Sequence, residues 1–89
     1  MSIQFIDFEA DWCGPCVVMK PVIEELEKEL SGQIEIKRIN VDESQDEASK
    51  FGVMSIPTYL ILKGEKEVER LVGVTSKEVI KNKISKHLS

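Results

Sequence analysis

Ile3-Gln4-Phe5-Ile6-Asp7-Phe8-Glu9-Ala10-Asp11-Trp12-Cys13-Gly14-Pro15-Cys16 is the stretch from which the fold of this chain can be read. Its first part, Ile3 to Phe8, is an apolar run with strand character. Its last part holds the only two cysteines, Cys13 and Cys16, and opens a segment of helical periodicity. From Gly14 to Leu30, the residues Met19, Val22, Ile23, Leu26 and Leu30 recur at three- and four-residue intervals and form one apolar face. Glu24, Glu25, Glu27 and Lys28 fill the opposite side. Ser31-Gly32 ends the helix with a residue that tolerates positive φ.

Working outward, Ile34 to Val41 is a second strand. Ser44-Gln45-Asp46-Glu47 has capping-box spacing and predicts a short helix running to Phe51, stopped by Gly52. Thr58 to Leu62 is a third strand, Lys63-Gly64-Glu65 a turn, and Glu67 to Val72 a fourth strand. Thr75 or Ser76 can cap a last helix, in which Ile80, Ile84 and Leu88 are spaced by four. The order βαβαββα makes the first two strands parallel, joined by a right-handed crossover. The last two, joined by a tight turn, are antiparallel. The expected class is α/β: a four-stranded mixed sheet flanked by helices, with residues 1–89 as one domain.

Composition narrows the function. A chain of 89 residues can bury one modest core. A net charge of -4 gives no basic face for nucleic acid. No stretch approaches the ~20 apolar residues needed to cross a bilayer. Met1-Ser2 leads into the first strand without a basic n-region or a small-residue cleavage site, so no signal peptide is expected and the cytoplasm is the expected location. There a Cys pair is more often redox-active or metal-binding than structural. The basic C-terminal segment with Lys77, Lys81, Lys83 and Lys86 reads as a solvated helix face rather than a docking patch.

The placement of the Cys pair carries its own chemistry. A thiolate, not a thiol, attacks a disulfide, and an ordinary cysteine is mostly protonated at neutral pH. Cys13 falls at the start of the first helix, where unpaired N–H groups and the helix dipole favour an anion. Pro15 fits the first turn, which needs no amide hydrogen. Gly14 removes bulk, so another chain can approach Cys13. Cys16, one turn further in, is expected to be the less accessible sulfur. This makes Cys13 the attacking nucleophile and Cys16 the residue that resolves the mixed disulfide. A purely structural disulfide would close a loop too short to restrict the unfolded chain by more than roughly 2 kcal/mol. A structural zinc site wants four ligands, and His87, the only histidine, lies far off on the last helix. No metal or organic cofactor is expected.

Trp12-Cys13-Gly14-Pro15-Cys16 resembles the active-site motif of thioredoxins. Asp7-Phe8 and Ala10 before it, Pro21 within the helix, Asn40-Val41-Asp42 after the second strand, Ile56-Pro57-Thr58 before the third and Gly73 after the fourth all match the family at its spacing. The resemblance implies a thioredoxin-like fold and a thiol–disulfide oxidoreductase that reduces protein disulfides. It implies a cis Ile56–Pro57 bond facing the Cys pair, and a shallow rim of Trp12, Gly14, Pro15, Val41, Ile56, Pro57, Gly73 and Val74 against which a substrate lies. It also implies that Asp7 is a buried carboxylate that takes a proton from Cys16. The implied partners are disulfide-containing client proteins and a separate reductase, flavin- or iron–sulfur-based, with the protein a monomer. Two other readings stay open: a glutaredoxin-like protein reduced by glutathione or another small thiol, and a non-catalytic binding module on the same fold.

The chain also departs from the pattern. The family usually begins with an extra strand and helix, so here the second strand is expected at a sheet edge, guarded by Glu35, Lys37 and Arg38. Glu9 stands where many thioredoxins have a second tryptophan. Val17 stands where a Lys or Arg is common. Both changes oppose formation of the Cys13 thiolate. Arg38 occupies the position of a buried family lysine. It either pairs with Asp7 and holds it ionised, or turns to solvent and leaves Asp7 a stronger base.

Overall fold

The computed structural model describes residues 2–88; Met1 and Ser89 lie outside the described residues. Seven elements follow in the expected order: β1 (Ile3–Glu9), α1 (Gly14–Glu29), β2 (Glu35–Asn40), α2 (Gln45–Lys50), β3 (Thr58–Lys63), β4 (Lys66–Val72) and α3 (Lys77–Ser85). The sheet order is β2-β1-β3-β4. β1 runs parallel to β2 and antiparallel to β3, and β3 runs antiparallel to β4. This is the mixed sheet of a thioredoxin-like fold, with β2 at one edge.

The central position of β1 follows from its composition. Side chains alternate across a strand, and β1 is apolar on both faces. Ile3 and Phe5 join Met19, Ile23 and Leu26 of α1, Tyr59 and Ile61 of β3, and Ile80 and Ile84 of α3 in one core. Ile6 and Phe8 join Ile39, Leu60 and Leu62 in a second core, closed by Phe51 and Val53 around α2. The sheet therefore carries α1 and α3 on one side and α2 on the other. Phe5 stacks on Tyr59 with ring centroids 5.6 Å apart, which ties the two central strands together.

Asp7 interrupts this apolar pattern. Its position on β1 points it to the α1 side, and the packing that buries Phe5 also buries Asp7.

Three local expectations are corrected by the packing, and one open alternative is settled. Ser44 stands at the start of α2 but makes no side-chain cap hydrogen bond. Asn40 instead orders the approach, its Oδ1 accepting from the Asp42 N–H at 2.9 Å and its backbone oxygen from the Ser44 N–H. Ser76 rather than Thr75 caps α3, accepting from the Val79 N–H. Leu88 falls beyond α3, which ends at Ser85, so only Ile80 and Ile84 reach the core. Arg38 is no edge guard. It sits on the α1 side of β2 and bonds inward, leaving the exposed Glu35 and Lys37 at the edge. The lysines of the last helix are engaged within the chain: Lys77 and Lys81 bond Glu29, and Lys83 and Lys86 stand near Glu69.

Candidate active site

The site forms where β1 gives way to α1. The Cys13 N–H donates to the Ala10 oxygen, and the Cys13 oxygen accepts from the Val17 N–H, so Cys13 ends the loop and begins the helix. Cys13 is the N-cap residue, with Pro15 in the first turn. Its Sγ accepts a hydrogen bond from the Cys16 N–H at 3.1 Å. A helix N-terminus leaves such donors unpaired. One of them is therefore aimed at the sulfur that the sequence makes the nucleophile, where it would stabilise negative charge.

Cys13 and Cys16 are joined as a disulfide, with Cα atoms 5.2 Å apart. The expected ranking of their accessibility does not hold. Cys13 is 4% exposed and Cys16 8%, and both pack with Ala10 against Val41 and Ile56. Position at the helix tip, not exposure, distinguishes the two. A Cβ built on Gly14 would meet nothing within 4 Å, so the space above the pair is open.

The rim residues fall into two groups. Trp12 is 70% exposed, and its Nε1–H donates to Asp42 Oδ2 at 2.7 Å, which fixes the indole beside the disulfide. With Val41, Ala48, Val53, Met54, Ser55 and Ile56 it lines an apolar groove of about 340 Å³. Ile56–Pro57 is cis. The Gly73 N–H donates to the Pro57 oxygen at 2.8 Å, which brings Gly73 and the exposed Val74 up to the same loop. Gly73 has φ of +88°, a conformation that favours glycine. Gly14 and Pro15 are exposed as expected. Pro57 is buried, so it lies beneath the rim rather than on it.

Sequence reasoning missed Met54, which is 96% exposed in the groove wall. The available signal was an apolar residue in a loop without periodicity, two places before Ile56-Pro57. It also missed the partner role of Asp42, and it placed Glu27 on the solvent side of α1 although Arg38 Nη1 lies 3.6 Å from it.

Beneath the pair lies a charged cluster. Asp7 is 2% exposed, and among the described residues its Oδ1 has no hydrogen-bond partner. Burial, with the Glu9 carboxylate beside it, pushes the Asp7 carboxyl up to about 8. Arg38 turns inward and pairs with Asp7, as the first alternative has it, but does not hold Asp7 ionised. Its Nε lies 3.8 Å from Asp7 Oδ2, but its hydrogen bonds go to Glu9 Oε1, at 3.4 Å from Nε and 3.3 Å from Nη2. The cation lowers the Asp7 carboxyl less than burial raises it. Glu9, Arg38 and Lys20 wall a small polar cleft into which Cys16 opens. The cations Arg38 and Lys20 thus stand near the pair even though Val17 does not supply one.

The chain was compared with known proteins. Residues 2–86 match the family model described as Thioredoxin. The thioredoxin of Bacillus subtilis (strain 168) is 50% identical over 87 residues, covering 98% of this chain and 84% of the relative. Thioredoxin 2 of Chlorobaculum tepidum is 44% identical, covering 98% and 80%. Among solved structures, the thioredoxin NaTrxh from Nicotiana alata superposes with a TM-score of 0.89 at 44% identity, covering 97% of this chain and 73% of that one.

Proposed function

Since the chain belongs to the thioredoxin family and is a disulfide oxidoreductase with a redox-active Cys13–Cys16 pair, we propose that it reduces protein disulfides by a two-step exchange divided among Cys13, Cys16 and Asp7. In the reduced protein the Cys13 thiolate attacks a client disulfide and forms a mixed disulfide, releasing the first client thiolate. The Cys16 thiol gives its proton to Asp7, and the Cys16 thiolate attacks the Cys13 sulfur. The protein disulfide forms and the second client thiolate leaves. The client gains two electrons, and the dithiol loses them.

The observation that carries this reading is the backbone N–H of Cys16 aimed at Cys13 Sγ from the first turn of α1. It supports an anion at residue 13 rather than residue 16. A buried carboxyl raised to about 8 has, in its ionised fraction, a proton affinity close to that of a thiol, which suits it to taking the Cys16 proton. The groove from Trp12 to Ile56, with Gly73 and Val74 across the loop, offers apolar contact and backbone, which suits extended client segments of varied sequence.

The substrates are disulfides, and a reductase must restore the dithiol. In our reading that reductase is flavin- or iron–sulfur-based, the protein acts as a monomer in the cytoplasm, and neither nucleic acid nor membrane takes part. Among the described residues no helix is long and apolar enough to cross a membrane.

Reduction of insulin disulfides, driven by dithiothreitol, tests the assignment. Cys13→Ser is expected to lower the rate to that of dithiothreitol alone. Cys16→Ser is expected to attack once and accumulate the mixed disulfide. Accumulation in Cys13→Ser instead would reverse the two roles. Alkylation of the reduced protein checks the same point, since Cys13 is expected to react first.

A further inference from the structure

A buried base needs a route by which to lose its proton. Asp7 has almost no contact with solvent, and among the described residues its Oδ1 has no hydrogen-bond partner. Glu9 follows two residues later on β1, so the two side chains leave the strand on the same face. Arg38 Nε stands between them, 3.8 Å from Asp7 Oδ2 and 3.4 Å from Glu9 Oε1. Unlike Asp7, Glu9 reaches solvent, its side chain being 28% exposed. It borders a cleft of about 120 Å³ that Cys16 also borders. That volume holds a few water molecules at ~30 Å³ each, and the walls supply the polar partners they require.

The other groups facing Asp7 do not fit the task. Tyr59 lies opposite it on β3, and burial pushes its phenol up, so it does not accept a proton. Arg38 on β2 keeps its own proton. Glu27 on α1 approaches Arg38 but borders different clefts, away from Cys16.

We propose that Glu9 is the proton relay of this site. Asp7 passes the proton received from Cys16 to the Glu9 carboxylate beside it, and Glu9 releases it through the cleft to solvent, while Arg38 stands against both carboxyl groups. The inference rests on the reading of Asp7 as the base for Cys16. No electrons move in this step. The O–H bond at Asp7 breaks and one forms at Glu9, which then breaks as solvent in the cleft takes the proton, so both carboxylates return for the next cycle. Glu9 acts through Asp7, so it is a positioning and relay residue.

The test measures the two half-reactions separately by rapid mixing with a chromogenic aromatic disulfide. Cys16→Ser protein reports the first attack, and protein with both cysteines reports resolution. Glu9→Gln and Glu9→Ala are expected to slow resolution roughly tenfold, less than the ~10²-fold typical of losing a whole general base. The first attack should not be slowed, because removing the Glu9 charge favours the Cys13 thiolate. Glu9→Asp should retain most of the rate. Most telling, resolution by Glu9→Ala should speed up with the concentration of a small carboxylate or imidazole buffer, while the wild type stays indifferent to it. A purely electrostatic role for Glu9 would shift the pH profile without buffer dependence and would overturn the relay. Equal slowing of both half-reactions would do the same. Asp7→Asn separates the two levels. If it resolves at the wild-type rate, the base itself is misassigned and the relay falls with it. If it is slow while Glu9→Gln is normal, only the relay is refuted.

Discussion

Two clusters of opposite charges bind α1 to its neighbours, one around the buried Asp7 and one exposed. In the first, Asp7, Glu9 and Glu27 surround Arg38 beneath the disulfide. In the second, Glu29 near the end of α1 takes the ammonium groups of Lys77 and Lys81 on α3, at 2.6 and 2.7 Å. The exposed carboxyl is drawn down to about 2 by its two hydrogen-bonded lysines. The buried one is pushed up to about 8 although a guanidinium stands beside it. A cation near a carboxylate therefore does not by itself decide its state. Asp7 loses more by leaving water than a non-bonded cation at 3.8 Å returns, and Glu9 adds to the imbalance.

The largest effect expected from breaking this contrast is in Asp7→Asn. The folded-state carboxyl titrates near 8, against about 3.9 in an unfolded chain. Between these values the folded protein binds the extra proton, so wild-type stability falls as pH rises from about 4 to about 8. The Asn variant lacks that loss. It should match the wild type near pH 4 and exceed it by ~2–4 kcal/mol above pH 8, with 1.36 kcal/mol per pKa unit setting the ceiling. Urea unfolding across pH measures this. A constant difference at all pH values would contradict the burial argument. The same variant should slow resolution of the mixed disulfide more than the first attack.

Arg38→Met sharpens the comparison at a smaller scale. Removing the cation leaves Asp7, Glu9 and Glu27 facing one another. The Asp7 titration should move further up, seen as an upward shift in the pH profile of resolution, and stability at neutral pH should drop by ~1–3 kcal/mol. A downward shift would show that Arg38 does not face Asp7 in solution. Glu29→Gln should have the least effect. Its lowered carboxyl contributes stability that is present above about pH 4 and lost as pH falls toward 2. Exposed pairs are screened, so thermal melts at low and high salt should show a small decrease that salt removes. A loss as large as that of Arg38→Met would erase the distinction between the two clusters.

Much of the fold was legible because its signals are local. Ile3 to Phe8 had to be a strand, Met19 to Leu30 a helix with one buried face, and Gly64 a turn. These follow from residues that are near neighbours in the chain. Ser44 and Leu88 show the limit: each had the right spacing, but a competing Asx turn at Asn40 and the early end of α3 displaced them. In the site, Cys13 and Cys16 were legible from adjacency. Met54, Asp42 and Glu27 were not, because each matters through a partner distant in sequence.

The sequence alone determined the order of elements, the chemistry of the pair and its place at a helix start, since those depend on bonded neighbours and on periodicity. Tertiary structure alone decided where Arg38 points, that Glu9 rather than Asp7 takes its hydrogen bonds, and that both sulfurs lie buried together. Those outcomes depend on the water removed when β1, β2 and α1 close over one carboxyl, and desolvation belongs to the packed assembly rather than to any single residue.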